Sequence, residues 1–290
     1  MFWDEGVFDP QGNPDPQGDH DWMIERATEM FDEIDGGPGE FFRLMVECDL
    51  MDLKNRASKA GGGFCTDFPS YGLPYIFANF NGTKGDVEVF THEIGHAFQG
   101  YSSREQPLHD YLFPTYESCE VHSMGLEFLT WPHMEKFFGG QAERFRKIHL
   151  IQSLLFLPYG VAVDHFQHLV YSNPEASPDE RREMECTYLP SRDCGDLPHL
   201  PEGGQWQMQR HIYLSPFYYI DYTLALTCAL QFWVRSRADM AESMAAYVAL
   251  CKRGGDAPFR ELASSAGLNS PFEAGYLRDV VQQARTFLAG

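Results

Sequence analysis

Thr91-His92-Glu93-Ile94-Gly95-His96-Ala97-Phe98-Gln99 is the stretch on which the reading of this 290-residue chain turns. Its centre, His92 to His96, has the pattern H-E-x-x-H. On an α-helix, residues four apart lie one above the other on the same face. His92 and His96 are therefore placed to share one metal ion. Glu93 projects at a neighbouring angle, within reach of a water on that ion. Two imidazoles and a carboxylate so arranged are the parts of a zinc-dependent hydrolytic site. Histidines at this spacing also occur for ordinary helix packing, so the surrounding sequence has to decide.

The flanks predict a helix over about 86–103. Thr83 and Asp86 are spaced as the T-x-x-D start of a capping box. Val87, Phe90, Ile94, Ala97 and Tyr101 recur at three- and four-residue steps and make an apolar stripe. His92, His96 and Gln99 fall on another side. Gly95 costs roughly 1 kcal/mol relative to alanine inside a helix. Close approach of a ligand, close approach of another helix, or simple tolerance would each account for it.

A second helix is expected over about 115–130, with Thr115 as its cap and Glu117 suiting the dipole of its first turn. Glu120 and Glu127 stand seven apart, two turns along one face. A catalytic zinc takes three protein ligands and keeps a fourth position for water. His92, His96 and Glu120 complete such a His2Glu set. Glu127 then suits a supporting role, holding a ligand imidazole from behind. Val121, Met124, Leu126, Phe128 and Leu129 make this helix too apolar for a solvated surface element. Cys119 is expected to face the core.

Between His211 and Tyr222 there are four tyrosines and one histidine in twelve residues. Peptide hydrolysis passes through an oxyanion, and neutral phenol or imidazole donors aimed at that oxygen stabilise it. Tyrosine, with an unperturbed pKa near 10, keeps its proton at neutral pH. Core packing is the alternative role for any one of these rings.

These stretches together resemble the oligoendopeptidase F branch of the thimet oligopeptidase family of zinc metallopeptidases, close to its Pz-peptidase-like members. The matching segments are 60–65 (AGGGFC), 77–83 (FANFNGT), 91–99, 120–127, 157–164 (LPYGVAVD) and 216–224. The resemblance implies a mostly α fold (α+β, with a small β-hairpin or sheet), a zincin-type helical catalytic domain whose H-E-x-x-H helix faces a substrate channel. It implies one Zn2+ on His92, His96 and Glu120, Glu93 as general base, and oxyanion help from His211, Tyr219 and Tyr222, with Tyr218 close behind. Gly62, Gly63, Phe77, Asn79 and Asn81 resemble the substrate-side hairpin, where an edge strand pairs with a peptide backbone. Short peptides are then the expected substrates, since the channel is enclosed. Family members are about twice as long. The chain opens at Met1-Phe2-Trp3-Asp4, near where the catalytic half would begin, so residues 1–290 are expected to form a single catalytic domain without the N-terminal helical half. A homo-oligomer or a complementary N-terminal half are the partners this suggests. At His165 the relatives tend to carry an acid.

Composition sets bounds. A content of 43% hydrophobic and 14% aromatic residues fits a globular chain with a full core. No run approaches the roughly 18 apolar residues of a membrane span, and no signal peptide is visible. A net charge of −20 argues against nucleic acid as a partner, because phosphate binding needs a basic surface. The same charge would serve solubility, cationic peptides or a saline habitat. Seven cysteines at irregular spacings, with no C-x-x-C pair, point to reduced thiols and a cytoplasmic setting. Helices are expected at about 20–35 and 38–57, strands at Phe64–Phe68 and Tyr75–Phe80, and a helical stretch over 140–172 broken near Pro158-Tyr159-Gly160. A loop or flap is expected over 189–206, then helices from about 209 to the end with a turn at Arg253-Gly254-Gly255.

Overall fold

The computed structural model describes residues 9–34, 36–188 and 204–290. Helix α1 (His20–Asp32) starts at Asp19, whose carboxylate accepts the Trp22 N–H, and buries Met23, Ala27, Met30 and Phe31. Helix α2 (Pro38–Glu47) carries Pro38 at its start, where a missing N–H costs nothing. It ends at Glu47, not near residue 57 as the periodicity suggests. Asp49 turns into the left-handed region (φ 53°), and Met51–Lys54 leave as strand β1. Leu50, Met51 and Leu53 are a short apolar run that serves a helix or a strand equally well. Pairing to the sheet decides it.

Strands β2 (Phe64–Phe68) and β3 (Leu73–Phe80) form the expected hairpin. The sheet order is β1-β3-β2, with β1 parallel and β2 antiparallel to β3. Pro74, Ile76, Ala78 and Phe80 alternate inward as buried residues. The phase of the ladder has a consequence for β2. The Ile76 N–H donates to Leu50 O, on the β1 side. Its partner Cys65, and Asp67 opposite Pro74, therefore hold the positions whose main-chain groups face the edge of β2 that is open among the described residues.

Helix α3 (Lys84–Ser102) carries the H-E-x-x-H stretch, and α4 (Tyr116–Leu129) carries Glu120 and Glu127. Thr83 and Thr115 occupy the capping positions, but neither side chain makes the capping bond. At α3 the work is done by Asp86, whose carboxylate accepts the Asn81 and Gly82 N–H groups. The two helices touch at Gly95. A Cβ there would lie 2.6 Å from both His122 O and Ser123 Cα. Of the accounts open for this glycine, close approach of another helix is the one the structure supports. Gly95→Ala should therefore destabilise by about 2 kcal/mol despite alanine's better helix propensity, because the clash is with backbone. A thermal midpoint equal to wild type would contradict this.

The remaining helices are α5 (Glu135–Phe138), α6 (Ala142–Ser172), α7 (Pro178–Tyr188), α8 (Arg210–Leu214), α9 (Tyr219–Ala238), α10 (Met240–Arg253), α11 (Phe259–Ser265) and α12 (Arg278–Ala289). The break expected near Pro158 is absent: α6 runs straight through it. Packing of α6 on α9, close at Gly160 and Thr223, overrides a local penalty of roughly 3 kcal/mol. The turn at Arg253-Gly254-Gly255 is present, with Gly254 at φ 53°. The expected flap falls mostly on 189–203, outside the described residues. The main core is a cluster in which α3, α4, α9 and α10 contribute Phe98, Leu126, Phe128, Phe232 and Tyr247, all buried, and a smaller cluster joins Val163, Phe166, Val170, Ile212 and Tyr219. The fold is mostly helical with one small mixed sheet.

Candidate active site

Two helices bring three donor atoms to one point. Glu120 Oε2 lies 3.3 Å from His92 Nε2 and 3.4 Å from His96 Nε2. Among the described residues these three form the only group of histidine, cysteine and carboxylate atoms able to hold a metal ion. Glu120 is buried and further held by the Ser123 hydroxyl at 2.9 Å and by the Tyr218 hydroxyl on its other oxygen. Burial pushes its carboxyl up, but the two imidazoles outweigh burial and hold it well below its usual range.

Behind the donors runs a chain of hydrogen bonds that fixes where the protons sit. The Trp131 indole N–H donates to His149 Nδ1 at 3.0 Å. His149 must then carry its proton on Nε2, which meets Glu127 Oε2 at 2.7 Å. The other oxygen of Glu127 accepts from His92 Nδ1 at 2.7 Å. Burial opposes a charge on His92, but Glu120 and Glu127 outweigh it and favour the protonated ring. In the neutral ring that a metal ligand requires, the lone pair of His92 is on Nε2, the atom facing Glu120. Glu127 is pushed up by burial, yet the hydrogen bonds from His149 and His92 hold it at about 2.

Glu93 points into the same space. It is buried, and its Oε2 has no hydrogen-bond partner among the described residues. Burial raises its carboxyl, against the pull of His92 and His96. A buried carboxylate oxygen without a protein partner, beside three convergent donors, faces space that a bound water or ligand would fill. The donor set and this orphaned oxygen both fit a catalytic zinc, which takes three histidine, carboxylate or cysteine ligands and keeps a fourth position for water.

From the far wall Tyr218 and Tyr222 reach the cavity, which has a volume of about 470 Å³. The Gln209 amide donates to His211 Nδ1 at 2.9 Å, and His211 Nε2 lies 3.3 Å from the Tyr222 hydroxyl. His211, lowered by burial against the pull of Glu120, thus donates to Tyr222, whose hydroxyl also meets that of Tyr218 at the cavity wall.

The pattern of peptidase family M3 matches residues 25–281. The chain belongs to peptidase family M3. It is 53% identical to a protein assigned as an oligoendopeptidase F, with a TM-score of 0.93 over 97% of this chain and 50% of that one. It is 51% identical to PZ peptidase A, solved with an inhibitor, with the same TM-score and coverage. A third structure, assigned as an oligoendopeptidase F from Bacillus anthracis, is 47% identical, with a TM-score of 0.88 over 100% of this chain and 50% of that one. No curated protein matches the sequence. The chain spans about half the length of the solved relatives it matches.

Within this M3 chain the structure brings together His92, Glu93, His96, Glu120, Tyr218 and Tyr222 around one cavity, with Glu127 and His211 directly behind. Tyr219 is placed elsewhere. It is buried among Phe156, Tyr159 and the Val163–Phe166 cluster and does not line the cavity. Of Gly62, Gly63, Phe77, Asn79 and Asn81 only Gly63 does, where an added Cβ would lie 3.4 Å from Glu93 Oε1. Gly62 supplies a left-handed turn (φ 95°). Asn79 braces that turn by donating to Ala60 O and Gly62 O. Asn81 shapes the start of α3 by accepting from Thr83, and Phe77 stacks on Phe64. Cys119 lines the cavity and does not face the core, and its thiol donates to Pro114 O. His165 is exposed on α6, away from the cavity. His149, Trp131 and Gln209 went unnoticed in the sequence. Only a polar residue inside an apolar stretch, as at His149, hinted at them.

Proposed function

We propose that this chain is a single catalytic unit of a zinc-dependent oligopeptidase that hydrolyses short peptides. The observation that carries the proposal is the convergence of His92 Nε2, His96 Nε2 and Glu120 Oε2 beside the unpartnered Glu93 carboxylate. His92, His96 and Glu120 would hold a zinc ion, which when bound would supply Lewis acidity toward the scissile carbonyl and the attacking water. Glu93 takes the proton of the attacking water and hands it to the leaving amine. Tyr222 donates to the oxygen that gains negative charge, while Tyr218 keeps Glu120 aimed. The peptide backbone lies along the open edge of β2, hydrogen-bonded at Cys65 and Asp67. A cavity of about 470 Å³ admits an extended segment.

The test is mass spectrometry of a pool of roughly 5- to 15-residue peptides incubated with the zinc-loaded chain and with a chelator-treated control. Fragments from the zinc-loaded sample alone support the proposal. Intact peptides in both samples overturn it for the isolated chain. Coverage of half of each relative favours a second reading, in which cleavage needs the remaining half as a partner. A rate that appears on adding the N-terminal half of a relative would select it. Tyr222→Phe is expected to lower kcat by about 10- to 100-fold with KM near wild type. Unchanged kcat would take Tyr222 out of the chemistry. A cytoplasmic setting rests on the free thiols of Cys48, Cys65, Cys119, Cys228 and Cys251. Among the described residues no helix is long and apolar enough to cross a membrane.

A further inference from the structure

One carboxylate in the cavity is unused by the chemistry above. Asp67 lines the same space as His92, Glu93, His96 and Glu120. It makes no side-chain hydrogen bond or ion pair among the described residues, and no lysine or arginine lines the cavity there. Burial holds its carboxyl above the usual range, and only the charge of His109 pulls the other way. Glu120 and Glu93 have partners or tasks. Asp67 is the negative charge left over.

Its place on β2 says what would meet it. Phe64, Thr66 and Phe68 pair with Phe77, Tyr75 and Leu73 on the outer face, where Phe64 and Phe77 stack at 5.0 Å. Cys65 and Asp67 pair with the buried Ile76 and Pro74 and so point their side chains inward. Their main-chain groups are also the ones that face the open edge. A peptide residue paired with Asp67 is therefore on the inward face, its Cβ roughly 5 Å from that of Asp67. Cys65 stands close enough to feel the Glu93 charge. Asp67 is two residues, or about 7 Å, further along the strand.

We propose that Asp67 selects peptides bearing lysine or arginine at one fixed position, two residues along from the residue paired with Cys65. The inference rests on the peptidase reading and deepens it by naming the substrate class. The residue paired with Cys65 lies nearest Glu93, which the chemistry above already uses, so the preference set by Asp67 falls at one position on one side of the scissile bond.

The test uses blocked eight-residue peptides of neutral sequence, each with Arg, Glu or Leu at one scanned position. For the wild type, kcat/KM for Arg over Glu should peak at a single offset from the cut, at about fivefold, the value of a half-exposed ion pair. Asp67→Asn should bring that ratio to about one, and Asp67→Lys should invert it. The same ratio in wild type and Asp67→Asn would overturn the proposal. The same peptides, fluorescently labelled, are bound to the zinc-loaded Glu93→Gln variant with and without Asp67→Asn. If the wild type cleaves nothing, the peptidase reading has failed, and the anisotropy ratio of Arg to Glu peptides decides the Asp67 proposal alone. An Asp67-dependent ratio upholds it, and an unchanged ratio overturns it.

Discussion

Glu93→Gln is expected to keep its metal and to lose turnover on the order of a thousandfold. Glutamine has almost the same shape as glutamate, so the buried site beside Gly63 needs no repacking. What it lacks is a basic oxygen. Glu93 Oε2 is a buried oxygen with no hydrogen-bond partner among the described residues, and burial already holds its carboxyl higher than usual. Both properties suit a group that accepts a proton and then gives it back. Zinc content, measured alongside peptide cleavage, separates this from loss of the site. Wild-type turnover in a zinc-replete variant would remove Glu93 from the role of base.

Zinc affinity should fall in a graded order that follows the hydrogen-bond chain. Glu120→Ala removes a donor atom and should weaken binding by more than about a hundredfold, since two protein ligands remain of the three a catalytic site needs. Glu127→Ala leaves all three donors but frees the His92 ring and its tautomer, for a loss of about 10- to 100-fold. Trp131→Phe keeps the ring packed against Phe128 and Trp233 and deletes only the N–H that orients His149. Its effect should be the smallest of the three. Competition with a chelator reads all three, and circular dichroism checks that each variant is folded. Equal affinity in Glu120→Ala and wild type would exclude Glu120 as a ligand.

The parts of the site that were legible in the sequence are those written into a single helix. His92 and His96 show their common face through spacing alone, and Glu127 could be paired with them because α4 has its own periodicity. Strands β2 and β3 were legible for the same reason, as alternation between glycines. The illegible parts arise from tertiary contacts. His149 comes from α6 and Trp131 from a turn after α4, and neither carries a periodic signal that points to Glu127. Tyr219 and Tyr222 are three apart on one helix, yet one faces the apolar cluster and the other the cavity. Only the packing of α9 on α6 tells them apart. Strand β1 and the unbroken α6 went the other way from local propensity, because a sheet partner in one case and a helix partner in the other outweighed it.

The open edge of β2 has a further effect at high protein concentration. An edge that pairs with a peptide can pair with the same edge of another copy, the first step of β-type aggregation. The chain limits this by brevity, with five residues in the strand and a proline at 69 directly after it. Asp67 adds like-charge repulsion between two such edges. Replacing it by lysine keeps that repulsion and replacing it by asparagine removes it, so colloidal stability should separate the two variants even where their folds are identical.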